Sequence, residues 1–203
     1  GELAYGAKKI KSNNDIDSLK DEADRLRLQS GMFNSVLVVS NDAVVLATSP
    51  ESLDLVGTRL NSSASKLAIE EKKPFISSPL KSVTGNLIIL LSHPIYDKGG
   101  NYIGYVGGSI YLKKHNLFGD VLSRHFFKNN TEISIVSDDG NVIFNNDKSA
   151  VDRPMVMSDD LKSKLTESDR GEGAFFFSGN RYLLGYAHMK NTAWNVLVYS
   201  HAD

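Results

Sequence analysis

The sequence predicts an α+β fold: a long N-terminal helix followed by two stacked modules, each a central antiparallel sheet flanked by helices. Three observations carry this reading. An amphipathic stripe opens the chain, two later segments begin with the same strand–turn–strand pattern, and each half then continues through a helical stretch into further strand-like runs.

The stripe consists of Ile16, Leu19, Ala23 and Leu26, repeated at three- and four-residue steps with charged residues between them, which is the spacing of an amphipathic helix. Asn14 or Asp15 caps it. Ala4 and Ile10 lie upstream and no proline intervenes, so the helix is expected to be long, to end near Leu28 and to reach beyond the globular modules. Its stripe suits both a helix laid on the core and one paired with its copy in a homodimer.

The repeat is SVLVVSNDAVVLA from Ser35 and EISIVSDDGNVIF from Glu132, each an apolar strand, a polar turn and a second strand. Val39-Ser40-Asn41-Asp42 aligns with Val136-Ser137-Asp138-Asp139, an internal duplication. In the first half a helix over 62–73 precedes NLIILLSHPIY and NYIGYVGGSIYL. In the second, a short helix over 159–165 precedes GAFFFSG, RYLLGYAHM and WNVLVYS. These runs set an N-terminal helix at 1–32, a first module at 33–112, a connecting helix at 113–130 and a second module at 131–203.

Composition narrows the function. Hydrophobic residues are 41% and charged residues 23% of the 203, enough apolar material for a core. The formal net charge is −1 with Lys and Arg scattered, so there is no basic footprint for nucleic acid. Cysteine is absent, which removes disulfides, thiolate metal sites and cysteine nucleophiles together. The five histidines show neither HExxH spacing nor a metal-holding cluster. There is no GxSxG elbow and no P-loop, and the glycines of GYVGGS sit inside a strand run rather than at a strand-to-helix turn. No catalytic residue, metal or cofactor is expected.

No apolar run approaches the roughly 20 residues that cross a bilayer, and no signal peptide opens the chain. The chain begins Gly1-Glu2-Leu3 without an initiator Met and stops at Asp203 just after a strand-like run. We therefore expect an excised fragment, and any membrane anchors would lie in flanking segments.

The segment SHPIYDKGGNYIGYVGGSIYL resembles the closing hairpin of the membrane-distal module in double Cache (PAS-like, PDC) sensor domains, with its P-(I/V)-Y-D-x-x-G pattern. SSPLKSVTGNLIILLSHPI resembles that module's preceding strands, and GYAHMKNTAWNVLVYS resembles the ending of the membrane-proximal module. The resemblance implies a periplasmic small-molecule sensing domain of an inner-membrane receptor. The run from FNSVLVVSND through YVGGSIYL looks most like sensors attached to diguanylate cyclase (GGDEF) domains, with histidine kinases and chemoreceptors as the alternative outputs.

The resemblance also places the ligand site in the first module, under the segment from Val56 to Pro79. Amino-acid-binding members use an R-x-W-Y motif and aspartates; here Ser62-Ser63-Ala64-Ser65, Pro79-Leu80-Lys81-Ser82 and Ser109 stand at those positions. Without the acids a buried ammonium would lack a counter-charge, so a neutral polar molecule or small carboxylate is expected and a free amino acid is not. Period-two alternation puts Tyr105, Ser109 and Tyr111 on one strand face. Arg59, Lys66, Lys81 and His93 are the cations expected within reach, and Ser65 and Ser82 complete the candidate set. A reading of another class makes His93, Tyr105 and Ser109 a hydrolytic site, and a third makes the chain a structural or dimerising ectodomain.

Overall fold

The computed structural model describes residues 1–10, 16–126, 131–177, 179–190 and 192–202. The expected cap at Asn14 or Asp15 lies outside the described residues. The chain divides into two compact units, Gly1–Leu117 and Phe118–Asp203.

Both expected strand–turn–strand openings form. In the first unit β1 (Ser35–Ser40) turns into β2 (Val45–Ser49), and a short 3-10 turn (Glu51–Leu53) leads to α3 (Ser63–Glu71). Two-residue strands β3 (Phe75–Ile76) and β4 (Leu80–Lys81) precede the long hairpin of β5 (Leu87–Tyr96) and β6 (Tyr102–Tyr111). The sheet order is β2-β1-β6-β5-β3, with β4 also on β5, and every pairing is antiparallel. Ser62 caps α3 by accepting from Ser65 N, as expected of serine at that position.

The second unit repeats the plan. Helix α4 (Leu117–Phe126) enters it, followed by β7 (Thr131–Ser137), β8 (Val142–Asn145), α5 (Asp159–Glu167), β9 (Arg170–Phe177), β10 (Asn180–His188) and β11 (Trp194–His201). Its order, β8-β7-β11-β10-β9, matches the first with the last strands in the corresponding places. The turns match chemically as well. Ser40 Oγ donates to Asp42 in one and Ser137 Oγ to Asp139 in the other, and each serine also accepts from a backbone N–H four residues on. A side chain that bonds its own turn in this way fixes the connection locally.

The N-terminus departs from the single extended helix that the sequence predicts. Helix α1 (Glu2–Ile10) packs against α2 (Ile16–Ser30) and against β5 and β6 instead of continuing away from them. Gly6 permits the close crossing, because a Cβ there would meet Leu26 Cδ1 at 2.7 Å. Arg25 fixes it electrostatically. Its Nη2 donates to the buried Glu22 at 2.6 Å and its Nη1 to Glu2 on α1 at 3.3 Å, while Lys9 Nζ lies 3.6 Å from Glu22. The stripe residues Leu19, Ala23 and Leu26 are all buried within the chain, so the first of the two uses foreseen for the stripe, packing on the core, is realised. At the sheet edge Arg27 Nε donates to Ser49 Oγ at 2.7 Å, and Ser49 donates on to Asp24, tying α2 to β2.

The central strand β6 is glycine-rich because two layers press on it. Gly104 has φ +147° and a Cβ there would overlap the Val39 carbonyl oxygen, so no other residue fits beside the β5–β6 bulge. Gly108 lies under the Phe33 ring, which occupies the place of a Cβ. We predict that Gly108→Val destabilises the chain by about 1–3 kcal/mol through overpacking against Phe33, read as a lowered urea midpoint at unchanged slope.

Candidate ligand site

Strand alternation sorts β6 into two faces. Val106, Gly108 and Ile110 face the α1–α2 layer, while Tyr105, Gly107, Ser109 and Tyr111 face the side that carries α3. The register extends this second face across the sheet: Ser109 pairs with Ser35 and Leu90, Gly107 with Leu37 and Ser92, and Tyr111 with Ile88. Over it lies a cavity of about 50 Å³, walled by Ser35, Leu37, Leu90, Tyr105, Ser109 and Tyr111 from the sheet. Leu53, Leu55, Leu60 and Ser62 close it on one side and Leu80, Ser82 and Thr84 on the other.

Tyr105 anchors the floor. Its ring is buried among Val39, Val45, Leu60 and Ala68, and its hydroxyl donates to Ser65 Oγ at 3.0 Å, joining the sheet to α3. Thr48, paired with Leu37 and therefore on the same face, has a buried hydroxyl with no hydrogen-bond partner among the described residues. The Ser82–Asn86 turn holds the second wall, with Asn86 N donating to Ser82 Oγ at 3.1 Å.

Of the residues singled out from the sequence, Ser82, Tyr105, Ser109 and Tyr111 line this cavity, and Ser65 stands behind Tyr105. The four cations do not line it. Arg59 is exposed and held by the β1–β2 turn, its Nη2 lying 3.3 Å from Asp42 Oδ2. Lys66 is exposed on α3. Lys81 pairs with Leu87, and His93 with Val106, which puts both on the opposite face of the sheet. His93 Nδ1 lies 3.0 Å from its neighbour's carbonyl, Pro94 O. The alternative hydrolytic grouping of His93 with Tyr105 and Ser109 is therefore not assembled, because one residue of offset along a strand reverses a side chain's face. The leucines that make up most of the closing walls carry no chemical signature in the sequence. Ser35 and Leu37 could have been found from the register of β1 on β6.

Burial pushes the Tyr105 phenol up to about 12, against which the bond to Ser65 pulls weakly downward. A raised phenol pKa has a fixed sign. Below pH 10 the hydroxyl is protonated in both folded and unfolded chains; between about 10 and 12 the unfolded chain loses the proton first, so stability falls as pH rises. We predict that the urea midpoint of the wild type drops more steeply from pH 9 to 11 than that of Tyr105→Phe. The Ser65→Ala variant is expected to lose about 0.5–1.5 kcal/mol at neutral pH.

Solved structures share this fold over nearly the whole chain. An extracellular ligand binding receptor from Desulfohalobium retbaense superposes with a TM-score of 0.80 at 18% identity, covering 98% of this chain and 36% of that one; this chain thus spans about a third of that receptor's length. The extracellular domain of the proposed histidine kinase rpHK1S-Z16 gives 0.79 at 17%, covering 99% and 84%. The ligand-binding domain of the Pseudomonas fluorescens chemoreceptor CtaA with L-isoleucine gives 0.69 at 17%, covering 100% and 82%. CtaA is also solved with L-alanine, L-serine and L-leucine. These structures overturn the expected exclusion of free amino acids. That exclusion weighed only the acids missing at Ser82 and Ser109, whereas an ammonium can also donate to hydroxyl oxygens, which Ser35, Ser62, Ser109 and Tyr111 supply. A search of curated protein sequences finds no match. The family model of the dCache_1 Cache domain matches residues 7–203, and the chain belongs to that family.

Proposed function

We propose that this chain is the extracytoplasmic sensing domain of a membrane-anchored bacterial signalling protein, and that its first unit binds a small molecule on the Tyr105–Ser109 face. The observation that carries the site is the cavity that Ser35, Ser109 and Tyr111 line among leucines. A few convergent polar groups in an apolar recess are the usual composition of a small-molecule site.

The cavity of about 50 Å³ holds a few waters at about 10–15 Å³ each, well below the roughly 300 Å³ of the smaller ligand pockets. Binding therefore requires the 53–62 and 80–84 walls to move outward. Since α3 follows one wall directly and is bonded to the sheet through Ser65 and Tyr105, ligand entry and helix position are mechanically linked. A ligand acts through its differential affinity for the two arrangements.

Free amino acids with small aliphatic side chains, which CtaA holds, are the first class to test, because leucines dominate the closing walls. For the output, the likeness of the FNSVLVVSND to YVGGSIYL run to cyclase-linked sensors supports a diguanylate cyclase. The fold shared with rpHK1S-Z16 supports a histidine kinase as the second reading.

Thermal unfolding with each amino acid and with small organic acids tests the site. A ligand at a hundred times its Kd stabilises the chain by about 2.7 kcal/mol, a clear rise in Tm. The Ser109→Trp variant, which fills the cavity, is expected to weaken binding by tenfold or more; undiminished binding in a folded Ser109→Trp protein would remove this site.

A further inference from the structure

The second unit holds a larger recess on the corresponding sheet face, with a volume of about 430 Å³, inside the roughly 300–1,000 Å³ range of small-molecule sites. The duplication lets the two faces be superposed strand by strand. With the Ser40 and Ser137 turns aligned, Ser35 and its partner Ser109 fall on Glu132 and its partner Tyr199. Likewise Leu37 and its partner Thr48 fall on Ser134 and its partner Asn145. A carboxylate, a phenol and a carboxamide thus replace the small or apolar groups of the first unit, and all line the recess.

The polar groups there are organised. Asn145 Nδ2 donates to Ser134 Oγ at 2.7 Å, and Ser134 Oγ lies 3.2 Å from Tyr199 Oη. Tyr199 stands edge-on to Phe175 and Tyr182, which stack on each other at 5.2 Å, so one wall is aromatic. The segment after β8 supplies Arg153, whose guanidinium makes no hydrogen bond among the described residues but lies within electrostatic reach of Asp147, a second carboxylate of the lining. The recess therefore combines a cation, two carboxylates and an aromatic wall, whereas no charged side chain lines the first unit's cavity.

We propose that this recess is a second ligand site, built for a small zwitterion with an apolar body: an L-amino acid whose carboxylate pairs with Arg153, whose ammonium pairs with Glu132, and whose side chain lies on Phe175 and Tyr182. Guanidinium and carboxylate match in a two-bond fork, and both ends of the zwitterion keep a counter-charge when water leaves. The inference does not depend on the first-unit site.

Calorimetric titration with the common L-amino acids identifies the tightest, and amide hydrogen exchange with and without it locates the site. We expect protection over 145–156 and 175–182. Arg153→Gln and Glu132→Gln, both at exposed positions that leave the fold intact, should each weaken binding by tenfold or more. The decarboxylated and deaminated analogues of that amino acid should bind at least tenfold more weakly. Protection in the second unit alone supports this proposal and removes the first-unit site; protection in both units supports both. Protection confined to 53–62 and 80–84, with Arg153→Gln binding as wild type, overturns it and leaves the first-unit site standing. Failure of every common L-amino acid to bind at millimolar concentration also overturns it.

Discussion

The pairing of β1 with β6 governs the first unit, because each residue of β6 must satisfy one of two different neighbours. Val106, Gly108 and Ile110 meet the helical layer, where Phe33 covers Gly108, and Tyr105, Ser109 and Tyr111 meet the cavity. A slip of one residue would exchange the sets and put Gly107 or Ser109 under Phe33 in place of Gly108. Gly104, paired with Ser40 and with no room for a Cβ beside the Val39 carbonyl, and the bonded Ser40–Asp42 turn hold the register at one end. At the other, Asn34 Oδ1 accepts from Tyr111 N at 2.8 Å. The packing of α1 and α2, and the floor on which a ligand would rest, therefore depend on the same set of hydrogen bonds.

The second unit shows what duplication leaves fixed and what it frees. Strand order and turn chemistry are retained, since they are properties of the backbone scaffold. The side chains on the α3-type face have diverged, from hydroxyls among leucines to a carboxylate, a carboxamide and an aromatic wall. The residues that hold the scaffold are thus different from those that line the two recesses.

Much of the architecture was legible because it is periodic. The alternation in SVLVVS and EISIVS and the polar turns that follow them are local signals, and each corresponds to an element of the structure. The helix turn-back was not legible. It depends on Gly6 meeting Leu26 and on Arg25 reaching both Glu22 and Glu2, contacts between segments whose own patterns are each compatible with one long helix. In the candidate site, alternation puts Tyr105, Ser109 and Tyr111 on one strand face, and all three line the cavity, since that reading needs only one strand. His93 and Lys81 were misplaced because their faces are set by pairing register, and Arg59 because a turn carboxylate holds it. The recess of the second unit escaped notice for a related reason: Glu132, Asn145, Arg153 and Phe175 lie far apart in sequence and share no motif.

Both proposed sites seat the ligand on one sheet face, the face that carries Tyr105 and Ser109 in the first unit and Tyr199 in the second. A crystal structure of the chain grown with its tightest-binding amino acid is the most direct measurement. Density is expected against Ser109 and Leu37, against Tyr199 and Arg153, or against both. Density seated only on the opposite faces, beside His93 or Leu183, would contradict both proposals.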